Sequence, residues 1–183
     1  MDFLDFDGRD LYFDTPTSNE VEKLIHKASL AYPDKKAEFY LLRCYFYEPE
    51  NLSVHVALYR YYYYQHDYQS AMKVAERTLE VSGKTLDYMG TWKDLNQDRL
   101  GGGVLVSMGL TRYYLLGLKA SAYLLMRLGD LEGAIERLEK VKEMDPADKF
   151  GVQELIDIAK TRLSDIEIEK YDAENVSALN HYR

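Results

Sequence analysis

A chain of 183 residues with 46% hydrophobic and 30% charged residues has the size and make-up of one soluble globular domain. Its formal charge of −8 opposes bulk attraction to nucleic acid or anionic lipid, so neither is expected as a partner. The single cysteine, Cys44, excludes an internal disulfide and a thiolate metal cluster, which suits a cytoplasmic protein.

Residues 1–17 carry five aspartates and one arginine, the reverse of a signal peptide's basic start. Phe3, Leu4, Phe6, Leu11, Tyr12 and Phe13 are interleaved with those aspartates. Two readings follow from that pattern. Either the segment docks into a basic, tyrosine-lined groove of its own chain or a neighbour, or it packs its aromatics beside the helices that follow.

From residue 18 onward the apolar spacing is helical and no strand-like alternation stands out. Thr17-Ser18-Asn19-Glu20 has the form of a capping box, and the helix it opens is expected to end near Tyr32, before Pro33. Further helices are expected at 34–47, 52–65 and 68–81, bounded by Pro49 and Gly83. Residues 86–114 read as an insertion in which Trp92 and Leu95 sit near a short helix and Gly101-Gly102-Gly103 forms a flexible joint. The stripe Val104, Met108, Thr111, Leu115, Leu118, Ala122 and Leu125 then predicts one long helix over 103–128. It includes Arg112 and Lys119 and is not expected to span a membrane. Helices at 131–144, capped by Asp130, and at 147–163 follow, with a polar tail at 164–183 that either frays or extends the last helix.

Three segments share a pattern. Ala37, Ala71 and Ala134 are each followed four residues later by Leu41, Ala75 and Leu138, and three beyond those by Cys44, Thr78 and Val141. Pro49 and Pro146 close the first and third copies, and Gly83 stands at the corresponding place in the second. The small residues let two helix backbones cross closely. With the stretch LGDLEGAIERLEKVKEMDP, the chain resembles the tetratricopeptide repeat family over 18–51, 52–85 and 115–148. Ile25 and Tyr59 depart from the family's small residue in the first helix, which Ala122 keeps. The resemblance implies an all-α fold of stacked helix–turn–helix repeats in a right-handed α-superhelix, with 147–163 as a C-terminal capping helix.

The resemblance also implies that the first helix of each pair lines a concave groove for an extended peptide. Carried over by repeat position, Arg60, Tyr63, Tyr64, Lys119, Tyr123 and Arg127 become the candidate contact residues. They suit an acidic or aromatic segment. The plain alternative is a solvated helix face. Arg60 and Tyr123 replace the asparagine of the family's carboxylate clamp, so a terminal carboxylate is not the expected ligand.

No catalytic residue, cofactor site or metal site is predicted. His26, His55, His66 and His181 lack the spacing of a metal pair. His55 and Cys44 fall at core positions, and the triple glycine lacks the strand and Lys-Ser/Thr of a phosphate loop. The expected protein is a non-enzymatic adaptor or scaffold whose partner is another protein or peptide. Alternatives are a chaperone for a secreted or assembling subunit and a structural protein that self-associates as a homo-oligomer.

Overall fold

The computed structural model describes residues 17–181, with side chains through residue 171. The acidic-aromatic N-terminal segment therefore lies outside the described residues. Within them the chain forms eight α-helices and no strand: α1 (Asn19–Ala31), α2 (Lys35–Tyr47), α3 (Leu52–Tyr64), α4 (Tyr68–Thr85), α5 (Gln97–Val106), α6 (Met108–Leu128), α7 (Leu131–Met144) and α8 (Gln153–His181). A 3-10 turn, Trp92–Asp94, precedes α5.

Local sequence explains most of these boundaries. Side chains of Ser18, Asp34, Asn51, Asp67, Asn96, Ser107 and Asp130 each accept a hydrogen bond from a backbone N–H in the first turn of the helix that follows. Each such cap contributes about 1 kcal/mol. The cap of α1 is Ser18 rather than Thr17, and the Ser18 N–H donates to Glu48 Oε1 at 3.1 Å. Gly129, at φ +90°, ends α6 in the left-handed conformation that glycine adopts without strain.

Successive helices pack on one another from α1 to α4 and from α6 to α8, and α4 packs directly on α6. The three alanines of the sequence pattern are buried at these crossings, together with Ala75 and Ala122. Cys44 is fully buried, and burial raises its thiol pKa, so the group is an inert packing element. His55 is also buried, with Nε2 2.8 Å from the Pro49 carbonyl and Nδ1 3.2 Å from the Thr78 hydroxyl.

Further expectations are corrected. The long helix over 103–128 is broken: Ser107 is extended (φ −160°, ψ 111°), and its hydroxyl caps α6 at the Leu110 N–H. Val104 and Met108 keep a spacing of four across that break, which is why the stripe reads as continuous. Second, Gly101-Gly102-Gly103 is not a joint but part of α5. A methyl group at Gly103 would overlap the Tyr88 hydroxyl, so that glycine permits a close approach. Third, α4 runs to Thr85, four residues past the expected end, with Gly83 buried inside it against Tyr114.

The insertion is fastened to α7. Arg137 lies 5.1 Å from the Trp92 ring centre, Lys93 pairs with Glu136 at 2.6 Å, and the Lys140 ammonium donates to the Leu95 carbonyl at 3.1 Å. α5, which follows this tied segment, packs on α6. At the other end, α8 begins at Gln153 rather than 147, because the Asp148 carboxylate accepts the Val152 and Gln153 N–H groups in the preceding turn, and the 164–181 stretch continues it as helix.

Candidate functional site

The six residues singled out from sequence fall in three places. Tyr63 and Tyr123 meet across α3 and α6 with ring centres 6.2 Å apart, and Tyr63 also touches Tyr68 at 6.1 Å. Arg127 closes this cluster: its guanidinium donates to the Tyr68 hydroxyl at 2.8 Å and lies 4.9 Å from that ring's centre. Tyr68, then Tyr123, hold the Arg127 pKa above its ordinary value. Arg60 and Tyr64 instead line a hollow of about 360 Å³ among α1, α2 and α3, with Ile25, Tyr32 and Leu41.

Lys119 belongs to a larger cleft of about 710 Å³, bounded by α5, α6 and the turn between α7 and α8. Leu115, Met144 and Phe150 give it an apolar floor, and Leu100, Val104 and Met108 form a wall. The turn is held by its own polar groups. Asp145 accepts the Phe150 N–H at 2.8 Å, and Asp148 accepts the Val152 N–H at 2.7 Å. Lys119 is only 6% exposed, and its ammonium donates to the Phe150 carbonyl at 2.5 Å, tying α6 to that turn.

Arg112 and Lys149 are exposed at the same cleft, and no acidic residue lines it. The ion pairs among the described residues lie elsewhere and involve neither of them. Three cations around an apolar floor concentrate positive potential on a chain whose net charge is −8. Such a cleft accepts a carboxylate beside an apolar side chain, with Arg112 able to bind both carboxylate oxygens at once.

A relative shares most of this chain. It is 38% identical over 166 residues to the uncharacterized 19.8 kDa protein in the nifW 5' region of Azotobacter chroococcum mcd 1, covering 91% of this chain and 93% of that protein. The chain belongs to that protein's family. The alignment leaves 17 residues of this chain outside it (183 less 166), fewer than the stretch 86–114 contains. The family therefore shares at least part of the insertion that walls the cleft. No family model matches the chain. No solved structure matches it either.

Sequence reasoning placed Lys119 but missed Arg112, Lys149 and Phe150. Arg112 lies seven residues before Lys119, two helical turns away on the same face, but it fell in the insertion, outside the repeat carried over from the family. Lys149 and Phe150 sit in a turn, where no periodicity marks them. Among the described residues there is no group of three or more His, Cys, Asp and Glu side chains that could hold a metal ion. No helix among them is long and apolar enough to cross a membrane.

Proposed function

We propose that this chain is a tetratricopeptide-like interaction protein, built as a right-handed superhelix, that binds an acidic, apolar-rich segment of another protein. The observation that carries the reading is the cleft between α5 and α6, where Arg112, Lys119 and Lys149 surround an apolar floor with no acidic residue. The binding is non-covalent: carboxylates meet the cations while neighbouring aromatic or aliphatic side chains cover Leu115 and Phe150. Lys119 is already anchored and contributes a preorganised charge, and Arg112 and Lys149 stand at the rim, where they speed encounter.

Titration with a sixteen-residue peptide of alternating Asp and Phe or Leu tests this. Reversing both rim cations (R112E with K149E) is expected to weaken binding at least tenfold, with the folded state intact by circular dichroism. A change of less than twofold would place the binding surface elsewhere, and a peptide with Lys for Asp is expected not to bind.

One observation favours self-association as a second reading. The outer face of α2 exposes Phe39, Leu42 and Phe46, the last at 82%, spaced by three and four residues along one stripe. Lys35, Lys36 and Arg43 on the same face repel a second copy of it. The cleft is therefore the better-supported site.

A further inference from the structure

The aromatic ladder between α3 and α6 fixes how those helices are aligned. Tyr63 meets Tyr123, His55 of α3 reaches Thr78 of α4, Arg127 near the end of α6 reaches Tyr68 at the start of α4, and Gly83 near the end of α4 lies against Tyr114 near the start of α6. α3 and α4 therefore run antiparallel, as do α4 and α6, so α3 and α6 run parallel, with Tyr63 level with Tyr123. Asn51, at the start of α3, is accordingly level with the Arg112 end of α6.

The described residues start at that same level. Asn51 donates through its side-chain amide to the Thr17 hydroxyl at 3.4 Å, and the Ser18 N–H is held by Glu48. Neighbouring helix axes lie about 8–10 Å apart. Sixteen residues reach on the order of 50 Å when extended, several times the spacing of neighbouring helices, so residues 1–16 are long enough to reach the cleft from Thr17. Their sequence also has the chemistry that the cleft lacks, with five aspartates set among Phe3, Phe6, Tyr12 and Phe13.

We propose that residues 1–16 of this same chain are a ligand of the Arg112–Lys119–Lys149 cleft, bound in cis, so that a partner segment must displace them. The proposal rests on the reading of the cleft as a site for acidic, apolar-rich segments. It adds a built-in competitor that sets a threshold for partner binding. A tethered ligand at an effective concentration on the order of 1 mM, with an intrinsic Kd of about 0.1 mM, weakens any competing ligand about tenfold.

The test uses the full chain and a fluorescein-labelled peptide with the sequence of residues 1–16, read by anisotropy. Replacing the five aspartates of the chain's own segment (D2N, D5N, D7N, D10N and D14N together) is expected to tighten peptide binding about tenfold. Equal affinity for the native and substituted chains overturns the proposal. If R112E with K149E still abolishes peptide binding in that case, the cleft reading survives alone. If the peptide binds none of the three proteins, both readings fall.

A nitroxide on Gly8→Cys supplies a direct measurement, since Cys44 is buried and does not compete for the label. Broadening of the Leu116 and Lys119 amide signals within the labelled chain supports the proposal. Broadening seen only between labelled and unlabelled copies in a mixture overturns the cis arrangement in favour of a neighbouring chain. No broadening overturns docking altogether.

Discussion

Burial decides the chemistry of His55. With Nε2 against the Pro49 carbonyl and Nδ1 against the Thr78 hydroxyl, the neutral ring is satisfied, and burial lowers its pKa. The folded state therefore resists protonation that the unfolded chain accepts at its ordinary value near 6.5. Stability is full above that pH and is lost as pH falls from about 6.5 toward the lower folded value. Urea unfolding at pH 7.5 and pH 5.5 is expected to show a fall that H55Q reduces, because glutamine offers the same polar partners without a charge. An identical fall in both proteins would assign the pH dependence to other groups. The same attention to burial separates Lys119 from Arg112. One is locked to a backbone carbonyl inside the cleft and the other stands at its rim, although both are cations on one face of α6.

Among the helices, the break between α5 and α6 creates the cleft. A continuous helix would carry Leu100 and Val104 along the α6 axis, whereas the extended backbone at Ser107 turns α5 aside to form a wall. Replacing Ser107 by alanine removes the α6 cap and is expected to cost about 1 kcal/mol. Urea unfolding measures this, and a loss below about 0.3 kcal/mol would show that the cap does not hold the corner. Most helix starts were legible in the sequence, because Asp34, Asp67 and Asp130 cap locally and prolines and glycines mark the turns. Ser107 was hidden by an apolar stripe that keeps its phase across the break. Gly101-Gly102-Gly103 was misleading because glycine reports flexibility in isolation, whereas here Gly103 answers to Tyr88, which is fifteen residues away in sequence. The cleft was half legible: Lys119 followed from repeat position, but Lys149 is delivered by a turn that the Asp145 and Asp148 carboxylates and the Lys119 ammonium hold in place.

Taken whole, the described residues form a helical stack, in a chain of net acidic charge, with a concentrated basic cavity. The alanine-spaced helix pairs supply the core, and the insertion between α4 and α6 supplies a wall of the cavity. The insertion's ties through Trp92, Lys93 and Leu95 to α7 make that wall part of the fold. Charge asymmetry of this kind makes association salt-dependent, since the Debye length shrinks from about 10 Å at 0.1 M to about 3 Å at 1 M. Amide chemical-shift mapping with an acidic, apolar-rich peptide shows whether this cavity receives such segments, as proposed. The largest perturbations are expected at Arg112, Leu116, Lys119, Lys149 and Phe150. Perturbations centred on Phe39, Leu42 and Phe46 of α2, with the α5–α6 signals unmoved, would contradict it.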